Sequence, residues 1–170
     1  MVIIVTGSKG VGKTTVCRKL VEIVRNLGYT CGGILTYKDR DGDILIEDIS
    51  TGNKDILAST NIVYHGPHTT KYSFNPKGID FGVQAIDKGT SVKILVVDEI
   101  GYLELRAEGF TRVLEFIKVG RVTNYILVIR SELLSTFIPR LPTVSQVFKT
   151  TLNNRDQLPQ EIVTVLLKKL

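Results

Sequence analysis

The chain has 170 residues, 43% hydrophobic and 23% charged, the size and balance of one soluble globular domain rather than a disordered or fibrous chain. No apolar run approaches the roughly 18 residues of a membrane span and no signal-peptide pattern opens the chain, so no membrane partner is expected. Cys17 and Cys31 have neither zinc nor CxxC spacing, which excludes a disulfide framework and fits a reducing cytoplasm. The net charge of +5 is scattered; a nucleic-acid partner stays open without a motif to carry it, and a binder of highly charged phosphates would carry the same excess.

In chain order, Val2–Val5 is wholly apolar, as in a strand buried on both faces of a parallel sheet. Gly7-Ser8-Lys9-Gly10-Val11-Gly12-Lys13-Thr14 follows and fills every position of G-x-x-x-x-G-K-[ST]. Its glycines let the backbone fold around phosphate oxygens. Successive N–H groups then form an anion nest, continued by the N-terminus of the next helix. Lys13 can reach the β- and γ-phosphates of a nucleoside triphosphate, and the Thr14 hydroxyl can ligate Mg2+. That helix is expected over Thr14–Leu27, with Val16, Leu20, Ile23, Val24 and Leu27 on one side and Gly28 past its end.

Gly33–Tyr37 reads as a second strand. Asp41-Gly42 before Ile44–Ile49, and Thr51-Gly52-Asn53 before Asp55–Ala58, are hairpin signals. Gly33–Ala58 is therefore expected as an antiparallel meander added to the parallel sheet. Thr60–Lys77 is irregular and holds His65, His68, Tyr64, Tyr72 and Phe74. The histidines lack an evident third ligand, and the aromatic rings could stack on a base or pack the loop down. A helix is expected from Pro76 to about Lys88, a buried strand over Val92–Val97 and a helix over Glu108–Val119. Strand Tyr125–Ile129, a short helix around Glu132–Phe137 and strand Gln146–Lys149 follow. In the last helix Asn153 or Asn154 is the expected cap, and Ile162, Val163, Leu166 and Leu167 share a face. Strands alternating with helices imply an α/β fold.

Lys93–Asp98 is an apolar strand closed by an acid. An Asp at the end of such a strand sits beside the phosphate loop, where it can hold the metal. Glu99 is then placed to accept a proton from an attacking water. Acid after Asp also resembles the branch of P-loop proteins that carries this additional glutamate, whose sheets resemble that of RecA. No Asn-Lys-x-Asp guanine-reading motif is present.

Asp98-Glu99-Ile100-Gly101-Tyr102-Leu103-Glu104-Leu105 resembles the D-E-I-G-x-M-E-L signature of the THEP1 nucleoside-triphosphatase family. Gly33–Tyr37 resembles that family's G-F-x-T-E strand, Tyr72–Asn75 stands at its Y-x-V-[ND] element, and Asn154-Arg155-Asp156 matches its late N-R-D. The resemblance spans nearly the whole chain. It implies Mg2+-dependent hydrolysis of ATP, GTP and other nucleoside triphosphates to diphosphate and phosphate, with loose base preference. It carries over as nucleotide-binding positions the loop Gly7–Thr15 (Gly7, Ser8, Lys9, Gly10, Val11, Gly12, Lys13, Thr14, Thr15). It likewise carries over Ile94, Leu95, Val96, Val97, Asp98, Glu99, Ile100 and Gly101. The departures are Leu103 for methionine, Arg106 for phenylalanine, Tyr37 for glutamate and Ile129-Arg130-Ser131 for T-I-P.

The expectation is thus one P-loop NTPase domain over residues 1–170, a monomer, with a mainly parallel RecA-like sheet, helices on both faces and an inserted β-meander. Lys13 and Glu99 are the catalytic candidates, Thr14 and Asp98 the metal ligands. Glu104 is either a second acid near the metal or a structural partner. Arg106, Arg130, Arg140 and Arg155 are candidates to meet charge on the transferred phosphoryl group. A kinase passing the γ-phosphoryl to a nucleoside, nucleotide or nucleic-acid end, and a nucleotide-gated RNA- or DNA-binding protein, are the alternatives.

Overall fold

The computed structural model describes residues 1–168. In chain order the elements are β1 (Val2–Gly7), α1 (Lys13–Asn26), β2 (Cys31–Lys38), β3 (Ile44–Asp48), β4 (Lys54–Ser59) and β5 (Ser73–Phe74). Then come α2 (Pro76–Lys88), β6 (Ile94–Ile100), α3 (Tyr102–Leu105), α4 (Arg112–Lys118), β7 (Asn124–Arg130), α5 (Leu134–Phe137), β8 (Gln146–Lys149) and α6 (Leu158–Leu167).

These strands form one sheet in the order β5-β4-β3-β2-β6-β7-β1-β8. Pairings β2–β6, β6–β7, β7–β1 and β1–β8 are parallel. β3, β4 and β5 add antiparallel strands beyond β2. The apolar runs explain the centre: a strand covered on both faces cannot alternate apolar with polar residues. Every residue of β1 is buried. Because successive side chains point to opposite faces, Ile4, Leu95, Val97 and Leu127 pack with Ala85, Val113 and Phe116 on one side. Ile3, Val5, Val96 and Val128 pack with Val16, Leu20 and Ile162 on the other. The α/β fold, mainly parallel with helices on both faces, is as the sequence implies.

Several local expectations are corrected. β2 belongs to the parallel core through Cys31–Ile34, so the antiparallel addition begins at β3 and extends through β5, inside the stretch read as irregular. The strand expected from Val92 starts at Ile94 and runs on to Ile100. The helix expected over Glu108–Val119 is confined to Arg112–Lys118, because the preceding residues form a turn. There Gly109 takes a positive φ of 61° and the Phe110 N–H is bound by a side chain, not by a helical carbonyl. Asn154 does not cap α6. Its Oδ1 accepts from the Thr151 amide at 2.8 Å and its Nδ2 donates to Lys149 O at 2.9 Å, fixing the turn after β8. Leu27 and Leu167, read as core-facing, are exposed at the helix ends. Asn75 does cap α2, accepting from Lys77 N, with Pro76 in the first turn. Cys17 and Cys31 are free and buried; burial pushes both thiols up, Cys31 to about 11, which leaves them protonated and unreactive.

Candidate active site

The loop between β1 and α1 sits at the carboxyl ends of parallel strands, where open α/β sheets bind ligands. Its conformation depends on glycine at two crowded points. Gly7 has φ 147°, and a Cβ there would lie 2.6 Å from Thr150 O. Gly12 has φ 102°, and its Cβ would meet Arg155 Cδ at 3.0 Å. The segment after β8 is thus a wall against the loop, which gives the Asn154-Arg155-Asp156 motif its physical sense. Asn154 fixes the turn, Arg155 packs on Gly12, and Asp156 pairs with Lys19 of α1 at 2.7 Å.

Lys13 is 7% exposed. Its Nζ donates to Gly7 O and Ser8 O, each at 3.0 Å, so the ammonium is held across the loop mouth. Thr14 begins the helix beside it and donates its hydroxyl to Thr36 O at 3.1 Å. Ser8, Lys9 and Gly10 are exposed at the loop tip, Val11 is half-buried, and Thr15 faces outward.

β6 delivers the two acids. Asp98 is 2% exposed, and its Oδ2 is a buried oxygen without a hydrogen-bond partner. Burial pushes its carboxyl up to about 7, against the pull of the Thr14 hydroxyl, while the Glu99 charge adds to the rise. A buried, orphaned carboxylate oxygen next to a hydroxyl is a donor set of the kind hard divalent cations take, with a few protein oxygens and the rest from phosphate and water. The residues therefore fit a magnesium ion. Among the described residues no group of three or more His, Cys, Asp and Glu could hold a metal ion, so the substrate's own oxygens would have to complete its shell.

Glu99 Oε1 accepts from Arg130 Nε at 2.5 Å, and its Oε2 lies 3.9 Å from Lys13 Nζ. Arg130 ends β7, the parallel neighbour of β6, and its guanidinium lies 5.7 Å from the Tyr102 ring centre. Of the four arginine candidates it alone contacts an acid of the site. Arg106 pairs with Glu108 on the surface, Arg140 lies over the Phe137 ring, and Arg155 supports the loop. Arg130 positions Glu99. Arg130→Ala is expected to lower kcat about tenfold with little change in KM, and Arg130→Lys to restore part of it, since one charge-assisted hydrogen bond of about 1.5–3 kcal/mol is removed. A purely structural arginine would give no such rescue and no kcat-only effect.

Glu104 answers the question its motif poses. It is 3% exposed, and its oxygens accept from the amides of Gly101 and Phe110, each at 2.7 Å. It clamps the turn behind Glu99, with both oxygens occupied by those amides. Ile94, Leu95, Val96, Val97 and Ile100, carried over from the family as nucleotide-binding positions, have side chains wholly buried in the two core layers, and Gly101 is a buried turn residue. Of that stretch only Asp98 and Glu99 face the loop. His65 and His68 are exposed, and among the described residues they belong to no group of three or more metal-ligating side chains. Tyr64 is tied through its backbone to the Ser73 hydroxyl. Tyr72 and Phe74 line a cavity of about 230 Å³ that also borders Glu99 and Arg130. Tyr37, in the place of the family's glutamate, lies under Arg18 and Lys54, and Glu47 of β3 supplies the acid that pairs with both.

Comparison with known proteins agrees with this geometry. The family profile described as NTPase matches residues 2–163. The nucleoside-triphosphatase THEP1 of Thermotoga maritima is 32% identical, the match covering 98% of this chain and 95% of that protein. That of Methanocaldococcus jannaschii is 30% identical, with 98% of each chain covered. The crystal structure of THEP1 from the hyperthermophile Aquifex aeolicus superposes with a TM-score of 0.80 at 26% identity, covering 98% of this chain and 99% of that one. The solution structure of a human cancer-related nucleoside triphosphatase shares the fold, with a TM-score of 0.78 at 22% identity over 99% and 98% of the two chains. A likeness that runs through the phosphate loop, the paired acids and the wall after β8 in one alignment leaves a single assignment, and the chain belongs to the THEP1 nucleoside-triphosphatase family.

Proposed function

We propose that this chain hydrolyses nucleoside 5'-triphosphates to diphosphate and phosphate, with loose base preference. The observation that carries the reading is Glu99, held by Arg130 at the loop mouth beside Lys13. Amides of Gly7–Thr14 and the Lys13 ammonium cradle the β- and γ-phosphates. Thr14 and Asp98 are the residues that would hold magnesium, which when bound neutralises charge on the phosphate oxygens. Glu99 orients the attacking water and takes its proton, and Arg130 fixes the carboxylate in the position from which it does so. Lys13 then faces the charge that builds on the oxygens of the transferred phosphoryl group. The sequence carries no Asn-Lys-x-Asp guanine-reading motif, which supports broad substrate use.

Phosphate release from ATP, GTP, CTP and UTP, with and without magnesium, tests this against Glu99→Gln. Slow release from all four is expected with the native protein. Loss of a general base costs about 10²–10⁴-fold, so the variant should lose nearly all of it while still binding nucleotide. Full activity in the variant would remove Glu99 from the chemistry.

A further inference from the structure

Hydrolysis needs room beside Glu99 for one water, whose share of liquid volume is about 30 Å³. The cavity there is about 230 Å³. Its walls are Ile44 of β3, Leu57 of β4, Phe74 of β5, and Leu103 and Phe110 around the turn after β6. The segment Thr69–Tyr72 and the ring of Tyr102 close it from other sides. Apolar walls of this kind favour an apolar occupant, and a cavity of about 150 Å³ is already enough for a benzene ring.

Besides Thr69, Thr70 and Lys71, the polar lining comes from the side of the phosphate loop. Glu99 and Arg130 border the cavity where it meets the phosphate loop, with Lys9 and Thr36 near them. Glu104 also borders it, but its oxygens are occupied by the Gly101 and Phe110 amides. A bound group at that end meets an acceptor, the Glu99 carboxylate, and a donor, the Arg130 guanidinium, with the exposed Lys9 as a second donor. A hydroxyl satisfies both, donating to the first and accepting from the second. An anion would face the γ-phosphate at close range, and a cation would take Glu99 from Lys13 and Arg130. A neutral group avoids both costs.

We propose that this cavity is a binding site for a small neutral alicyclic or aromatic alcohol, whose hydroxyl takes the place of the attacking water at Glu99 and so suppresses the release of free phosphate. The proposal rests on the hydrolytic reading for its consequence, though not for the binding itself. It also gives the antiparallel extension a role: β3, β4 and β5 supply three of the five apolar walls, and the parallel strands that carry the phosphate site supply none.

The test uses cyclohexanol and benzyl alcohol as probes on the intact protein with labelled isoleucine and leucine methyl groups. Saturable shifts are expected at Ile44, Leu57 and Leu103, and none at Ile162 or Leu166 on the opposite face of the sheet. Over the same concentrations most of the phosphate release should be lost with nucleotide affinity unchanged. Ile44→Phe, which crowds the apolar side of the cavity and touches neither acid nor the loop, should keep basal release and weaken both responses at least fivefold. Absence of saturable shifts in the native protein overturns the proposal, as does equal inhibition in Ile44→Phe. Shifts in a protein that releases no phosphate would uphold the binding site and refute the hydrolase instead.

Discussion

Replacing Lys13 by methionine is expected to abolish phosphate release and to weaken nucleotide binding at least tenfold, with the fold retained. Methionine keeps most of the buried stem, so the change isolates the ammonium. That group has two roles. It donates to Gly7 O and Ser8 O at 3.0 Å, which holds the loop in shape, and among the described residues it is the one buried cation, 3.9 Å from Glu99. Removing one preorganised donor aimed at developing charge costs about 10²–10³-fold in kcat, and the weakened binding lowers kcat/KM further. The two carbonyls lose a partner, a cost of about 1–3 kcal/mol that the buried strands of the core can absorb. Titration calorimetry and phosphate release on the same preparation read both effects. Undiminished binding would mean that the loop amides alone hold the phosphates.

Asp98→Asn should act in opposite directions on activity and on stability. Activity is expected to fall by about 10²-fold or more, because a neutral amide replaces one of the two protein groups suited to the metal. Stability of the nucleotide- and metal-free protein should rise. The native carboxyl titrates at about 7 when folded, raised by burial from an ordinary value of 3.8. The folded state therefore binds more protons than the unfolded one between about pH 4 and 7, and native stability falls as pH rises through that window. The asparagine variant carries no such penalty. Its advantage in Tm should be largest at pH 8, where the buried carboxylate is charged, and should vanish towards pH 4, at about 2–4 °C for each kcal/mol relieved in a protein of this size. Calorimetry in the presence of chelator measures this. A variant less stable than the native protein at pH 8 would show that Oδ2 is satisfied by a partner that the geometry does not reveal.

Contiguity explains which parts of this site could be read from the sequence. The phosphate loop and the Asp98-Glu99 pair lie in unbroken motifs flanked by an apolar strand, so the chain order alone singles them out as candidates. Arg130 is different. Four arginines stand near strand ends, and nothing local separates them. The choice follows from β6 and β7 being parallel neighbours with a register shift between Asp98 and Ile100, a pairing across about thirty residues that turns Glu99 towards Arg130. Glu104 looks like a candidate acid because motif reading cannot tell a carboxylate spent on two backbone amides from one left free. Ile94–Val97 enter as binding positions through the family resemblance, and in the structure all four side chains lie in the core. The helix boundaries at Arg112 and Leu158 were set by side-chain contacts to turn amides, at Glu104 and Asn154, and these override propensity. The cavity has no sequence signature, since its walls come from separate elements.

Turnover in oxygen-18 water tests the central claim most directly, because it reports which atom the water attacks and whether Glu99 is needed. With ATP or GTP and magnesium, the native protein should place one labelled oxygen in each released phosphate and none in the diphosphate, and Glu99→Gln should release almost none of either in the same time. Label in the diphosphate, or unlabelled phosphate, or a variant as fast as the native protein, would contradict attack on the γ-phosphorus by a water that Glu99 activates.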